Sequence, residues 1–303
     1  MHKLLTDTPG EKLFILGNEA IARGAIEAGV SFVTCYPGTP SSEIPLQFFQ
    51  MTRETDIYFE YSVNEKVALE VGAGAAATGL RTLVTMKHVG VNVAADPLMT
   101  LAYVGVKGGM VVVTADDPSM FSSQNEQDNR YYARLSGLPM LEPTNIQEMK
   151  DMTARAFELS EELSLPVLLR TTTRLNHMRG PVNLGPMQEV VTKKRFEKDP
   201  FSKVTVPAVS RRLHQVLLSR QEQAEKLSES WDSNRIIGQG RWGIVSNGIA
   251  YSYVLDAVND LNLMEKTSLL KLTLSHPLPR DLCLKFLQQV DSVLVVEELQ
   301  PIL

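Results

Sequence analysis

Short apolar runs alternate with longer stretches of helical periodicity through the first 175 residues. Residues 13–16, 31–36, 57–61, 82–86, 110–114 and 167–170 read as strands, with a further short one near Met140. Between them, residues 18–28, a stretch from Ser42, 64–78, 91–104, 124–136 and 146–162 read as helices. Gly29 and Gly79 sit where helices should stop, because a glycine accepts the left-handed backbone of a helix C-terminus. Regular strand–helix alternation predicts an α/β fold: a doubly wound, mostly parallel sheet with helices on both faces.

The pattern lapses after Thr173. Gly180-Pro181, Gly185-Pro186 and the charged run 193–198 read as a linker, and residues 206–230 as a polar surface helix or helix pair with a thin stripe of Leu213, Val216 and Leu217. A second, smaller α/β unit begins near Trp242, with strands at 243–245, 268–272 and 293–296 and helices at 250–258 and 282–290. The expected organisation is therefore 1–181, a linker over 182–240, and a second domain over 241–303. A final strand followed by seven residues lacks the helix that should cover its sheet, so the second domain is expected to be truncated or continued by another polypeptide.

Composition narrows the function classes. The chain has 303 residues, 44% of them apolar, and a net charge of −5. No basic stripe appears, which argues against nucleic acid as a partner. The longest apolar runs fall far short of the ~20 residues that span a bilayer. The N-terminal segment has no apolar core, so a cytoplasmic protein is expected. Two cysteines, Cys35 and Cys283, cannot hold an iron–sulfur cluster, which takes about four thiolates. The scattered histidines suggest no metal site.

Gly72-Ala73-Gly74-Ala75-Ala76-Ala77 matches a dinucleotide pattern but falls inside a helix rather than at its start, so close packing on the sheet is the expected role. Ligands of open parallel sheets bind outside the carboxyl ends of the strands. Four segments fall there. Tyr36-Pro37-Gly38-Thr39-Pro40-Ser41-Ser42 is a stiff turn carrying three hydroxyls into a helix N-terminus, where Ser41 or Ser42 would cap. Asn64-Glu65 caps the next helix and places a carboxylate in its first turn. Lys87-His88 follows the strand over 82–86 and suits a carboxylate-bearing ligand. Asp117-Pro118 starts a turn after the strand over 110–114.

Together these segments resemble the 2-oxoacid:ferredoxin oxidoreductases. Tyr36-Pro37-Gly38-Thr39-Pro40-Ser41-Ser42 is similar to the Y-P-x-T-P-S-S of that superfamily. The likeness runs on through Asn64-Glu65-Lys66-Val67-Ala68-Leu69-Glu70 and Gly72-Ala73-Gly74-Ala75. The run from Thr85-Met86-Lys87-His88-Val89-Gly90-Val91-Asn92 to Asp96-Pro97 resembles the indolepyruvate branch, in its alpha subunit.

The resemblance implies a thiamine-diphosphate enzyme that oxidatively decarboxylates aryl 2-oxoacids to acyl-CoA and reduces ferredoxin. The first domain would be the pyrimidine-binding domain and the second would resemble the transketolase C-terminal domain. Glu65 matches the family's catalytic carboxylate that faces the cofactor's aminopyrimidine. Tyr36 and Thr39 would touch the cofactor, and Thr39, Lys87, His88 and Asn92 the substrate. The pyruvate branch carries an arginine where this chain has Ala115-Asp116, so pyruvate is an unlikely fit and Lys87 or His88 becomes the replacement cation. Whole alpha subunits continue into a magnesium-binding domain and a cysteine-rich tail. The resemblance thus leaves magnesium and iron–sulfur clusters to the missing region or to partner chains, a beta subunit and ferredoxin among them. A dimer or hetero-oligomer is expected, and the chain alone should not turn over. Another 2-oxoacid substrate, or a non-catalytic scaffold subunit, are the competing readings.

Overall fold

A computed structural model describes residues 2–303. In chain order the elements of the first part are β1 (Lys12–Leu16), α1 (Gly17–Glu27), β2 (Phe32–Cys35), α2 (Glu43–Met51), β3 (Tyr58–Tyr61), α3 (Glu65–Thr78), β4 (Thr82–Lys87), α4 (His88–Val93), α5 (Ala95–Val104), β5 (Met110–Asp116), α6 (Arg130–Ser136), β6 (Met140–Leu141), α7 (Ile146–Leu163), β7 (Val167–Thr172), α8 (Thr173–His177) and β8 (Arg179–Asn183). Then come α9 (Pro200–Lys203), α10 (Pro207–Glu229), β9 (Arg235–Gly238), β10 (Trp242–Asn247), α11 (Gly248–Asp260), β11 (Thr267–Leu272), β12 (Leu274–His276), α12 (Arg280–Gln289) and β13 (Ser292–Val296).

Seven strands form the large sheet in the order β12-β6-β7-β5-β4-β2-β3. All its pairings are parallel except β12 with β6. β4, β5 and β7 are buried along their whole length, as expected of strands covered on both faces. A second sheet of four strands, β13-β10-β11-β9, completes the α/β architecture. The chain leaves β2 for β3 on one side, then returns past β2 to β4 on the other. Strand order therefore reverses between β2 and β4, and that reversal opens a crevice at their carboxyl ends.

α3 shows how closely local chemistry sets these elements. Asn64 caps it by accepting the Val67 N–H at 2.9 Å, and Gly79 closes it with φ 103°. Gly72 lies mid-helix, and a Cβ there would meet Val84 Cγ2 at 2.6 Å. Gly72 is thus a packing residue, as read from the sequence, whereas a Cβ on Gly74 would meet nothing within 4 Å.

Several elements differ from expectation. β1 does not join the large sheet. It pairs antiparallel with β8, Lys12 opposite Asn183 and Leu16 opposite Arg179. Apolar alternation marks a strand but does not choose its partner. β8 itself lies where the sequence read as linker. Gly180 and Val182 face inward and Pro181 outward, and in a two-stranded ribbon every strand is an edge that tolerates proline.

The helix expected over 91–104 starts earlier and is split at Ala94, because Pro97 cannot donate and its ring crowds the Val93 carbonyl. The helix expected over 124–136 keeps only its last part, α6. Before it, side chains capture the backbone: Asp117 accepts the N–H groups of Phe121 and Ser122, and Asp116 accepts that of Asn129. β9 falls in the expected linker yet pairs with β11. β12 falls in the expected second domain yet pairs with β6 of the large sheet. In α10, Leu213 and Leu217 are buried as anticipated but Val216 is exposed.

Candidate functional site

The crevice between β2 and β4 gathers three of the four segments singled out from the sequence. The turn after β2 is tightened by the Ser41 N–H, which donates to the Gly38 carbonyl at 2.8 Å. The Ser41 hydroxyl donates to the same carbonyl at 2.9 Å. Neither serine side chain caps α2, contrary to expectation: Ser42 holds the cap position without a side-chain bond, and Ser41 is spent on the turn. Gly38 lets this turn pass against the end of β4, since a Cβ there would lie 2.9 Å from Lys87 Cβ. Tyr36 is exposed and Thr39 half-buried.

Glu65 is the first residue of α3 and half-buried. Its side chain lies against α4, so close that a Cβ on Gly90 would be 2.6 Å from its Oε1. Among the described residues no hydrogen bond or ion pair engages this carboxylate. An acidic group in a first helical turn gains from the helix dipole, and this carboxylate keeps its full capacity to accept hydrogen bonds from a ligand.

Lys87 is buried at the carboxyl end of β4 and donates from Nζ to the Ser122 carbonyl at 2.7 Å. Burial pulls its ammonium below the ordinary lysine range, and the nearby Asp117 carboxylate partly offsets this. Two of its three donors remain uncommitted. His88 is fully buried as the first residue of α4. Its Nε2–H donates to the Asn125 carbonyl at 3.3 Å and its Nδ1 has no partner. Burial and the Lys87 charge favour the neutral ring, and hydrogen bonding to Asn125 only partly opposes them. Asn92 is exposed and already engaged: it exchanges amide hydrogen bonds with Gln127 and accepts the Tyr132 hydroxyl at 2.6 Å.

The structure thus links the 36–39 turn to Lys87, and α4 to Glu65. Thr85 Oγ1 and His88 Nδ1, both near the end of β4, are buried without partners. An aminopyrimidine carries donors and a basic ring nitrogen, so an unengaged carboxylate with orphaned polar atoms nearby suits it. Among the described residues no cluster of histidine, cysteine, aspartate or glutamate gathers as a metal site.

Beside the crevice stands a charge network that sequence reading missed. Arg170 on β7 is held by Asp116 at 2.7 Å and Glu142 at 2.5 Å. Arg130 is held by Asp128 at 2.6 Å and Glu297 at 2.5 Å. Asn129 ties the network to the crevice by donating to the His88 carbonyl at 3.0 Å. Burial lifts the Asp116 carboxyl to about 6 despite the facing Arg170. The available signal was an arginine directly after the apolar run Val167-Leu168-Leu169 of a buried strand, which must be paired.

A family model described as pyruvate flavodoxin/ferredoxin oxidoreductase, thiamine diphosphate-binding, matches residues 23–231. That span holds the whole crevice. The chain belongs to this family. Indolepyruvate oxidoreductase subunit IorA of Methanothermobacter thermautotrophicus is 50% identical over 306 residues, covering 100% of this chain and 49% of that protein. The protein of the same name from Archaeoglobus fulgidus is 48% identical, covering 99% of this chain and 49% of its own length. The chain therefore spans about half the length of these curated relatives. 2-Oxoglutarate synthase subunit KorA of M. thermautotrophicus is more distant, 32% identical over 199 residues, covering 63% of this chain and 52% of its own length.

Among solved structures, 2-oxoglutarate:ferredoxin oxidoreductase from Magnetococcus marinus superposes with a TM-score of 0.81 at 16% identity, over 96% of this chain and 58% of that one. A split-gene transketolase reaches 0.59 at 16% identity, over 94% of this chain and 80% of that one. At such identity these two speak to the fold alone. They agree with the doubly wound sheet followed by a smaller α/β unit.

Proposed function

We propose that this chain supplies the pyrimidine-binding half of the active site in an indolepyruvate-type 2-oxoacid:ferredoxin oxidoreductase, with Glu65 as its catalytic carboxylate. The observation that carries the reading is the unengaged, half-buried Glu65 at the strand-order reversal. Bound there, thiamine diphosphate would supply the electron sink for decarboxylating an aryl 2-oxoacid, with CoA as acyl acceptor and ferredoxin as oxidant.

Glu65 would share a proton with a ring nitrogen of the aminopyrimidine, which general acid–base chemistry requires at a fixed distance and in a dry setting. Tyr36 and Thr39, on the turn after β2, border the same face. The uncommitted donors of Lys87 would hold the substrate carboxylate. His88, neutral and buried, would set the end of β4 and α4 rather than carry charge, and Asn92 would line the mouth through its pairing with Gln127. The pyrimidine-binding domain would run to the end of β8 and take β12 at the edge of its sheet, and the second domain would begin at β9 rather than at 241. Magnesium, the diphosphate half-site and the iron–sulfur clusters would come from outside these residues, from a beta subunit or further polypeptide. A reaction drawing on CoA and ferredoxin belongs in the cytoplasm.

The 50% identity to IorA against 32% to KorA supports the aryl substrate over a dicarboxylic one. Calorimetric titration of this chain alone with thiamine diphosphate and magnesium should give weak binding or none, and the assembled complex should bind it and reduce ferredoxin on indolepyruvate. Tight, magnesium-dependent binding by this chain alone would overturn the half-site reading. An assembled complex that oxidises 2-oxoglutarate in preference to indolepyruvate would overturn the substrate.

A further inference from the structure

We propose that Gly90 is a positioning residue for Glu65: its bare Cα leaves the notch in α4 where the Glu65 carboxylate lies. The inference rests on the reading of Glu65 as the cofactor-facing carboxylate. A Cβ on Gly90 would sit 2.6 Å from both Cγ and Oε1 of Glu65 and 2.9 Å from its Cδ, and these are its three nearest atoms. Real Cβ atoms do not approach so closely, so one side must yield.

α4 is poorly placed to yield. Gln127 and Asn129 both donate to the His88 carbonyl, at 3.1 and 3.0 Å, and Asn92 is paired with Gln127. The backbone of Glu65 is fixed too, because α3 is capped by Asn64. The Glu65 side chain, in contrast, is held by no hydrogen bond. A methyl at position 90 would rotate that side chain off α4 and leave the fold intact. Gly90 lies within α4 and outside the left-handed region, and alanine is the better helix former there. Ordinary packing glycines behave differently: Gly72 and Gly17 abut a β-branched side chain or backbone that cannot swing away. At Gly90 the fold would accept a side chain, and the chemistry would not.

The test compares Gly90→Ala, Glu65→Gln and Glu65→Asp in the assembled holoenzyme. The readouts are the melting temperature, kcat and KM, and the near-ultraviolet circular dichroism that reports the tautomer of the bound aminopyrimidine. Gly90→Ala should melt at or above the wild-type temperature, keep KM, change the dichroism signal, and lose about 10²-fold in kcat, the usual cost of a misplaced catalytic group. In the Gly90→Ala background, Glu65→Asp should cost little more, since the carboxylate is already displaced by the methyl and the two effects would not add. Gly90→Ala with wild-type kcat and dichroism, beside a crippled Glu65→Gln, would overturn the role of Gly90 alone. Both variants silent would overturn the reading of Glu65 and this inference with it. A Gly90→Ala enzyme that melts well below wild type, with losses that simply add to those of Glu65→Asp, would reduce Gly90 to a packing residue.

Discussion

The crevice at the carboxyl ends of β2 and β4 and the cluster at the ends of β5 and β7 lie side by side on one sheet, and both gather charged groups that are buried or half-buried. They treat those charges oppositely. Arg170 is enclosed by Asp116 and Glu142, and Glu142 also accepts from Asn247 of the second sheet at 2.7 Å. Arg130 reaches past Asp128 to Glu297 and to the carbonyls of Glu298 and Gln300, fastening the C-terminal segment. Glu65 has no partner, and Lys87 has one carbonyl. Buried charges that satisfy one another fix how elements dock. A charge held in place without a partner leaves its interaction energy to a ligand or a reaction.

If that contrast is right, substitutions in the two regions should separate activity from stability. The largest effect is expected at Glu65. Glu65→Gln keeps shape but cannot share a proton, so acyl-CoA formation by the assembled enzyme should fall about 10²–10⁴-fold. Its melting temperature should hardly move, since a first-turn carboxylate contributes only ~0.3–1 kcal/mol through the dipole. A folded variant within about threefold of wild-type rate would fit the dipole role alone.

Arg170→Met should do the reverse. It strands Asp116 and Glu142 without their cation and should cost about 3–5 kcal/mol in chemical denaturation. If the variant folds with wild-type stability, the network does not hold the two sheets together.

Smaller effects are expected within the crevice. Lys87→Met should raise KM for the aryl oxoacid, with a loss in kcat/KM worth roughly 1–3 kcal/mol, the range for a charged hydrogen bond. His88→Ala should act through stability as well, because it empties a fully buried site. Equal and unaltered kcat/KM in both variants would remove them from the substrate path and turn attention to Thr39.

A further effect, on stability alone, is a pH slope. The Asp116 carboxyl titrates at about 6 in the folded chain against an ordinary 3.8. The folded state therefore keeps this proton between these values, where the unfolded chain has released it. The contribution to stability is fully present below the unfolded value and is lost as pH rises through the folded one. Denaturation across that window should show the decline, and Asp116→Asn should flatten it.

Much of the fold could be read from local pattern. Asn64, Gly79 and the apolar face between them specify α3 almost to the residue, and β5 announces itself by the unbroken apolar run Met110-Val111-Val112-Val113. The site was legible in part. Glu65, Lys87 and the 36–39 turn were singled out because they follow strands, and ligands collect at strand ends. His88 and Asn92 were singled out too, but their burial and engagement were not legible. Arg170, Glu142 and Arg130 went unread, and Asp116 was read only as standing where another branch has an arginine, because their partners lie far away in sequence, as Arg130 and Glu297 do, 167 positions apart.

By itself the sequence determined the strand–helix alternation, the caps, and the motif residues that mark the family, since these depend on near neighbours and backbone preference. Only the tertiary structure decided which strand pairs with which, that β1 leaves the large sheet for β8, and that β12 crosses to the edge of the first sheet. It also decided which charges are neutralised and which stand free. Pairing and desolvation are set by groups brought together from distant parts of the chain, and no local window contains both members of such a pair.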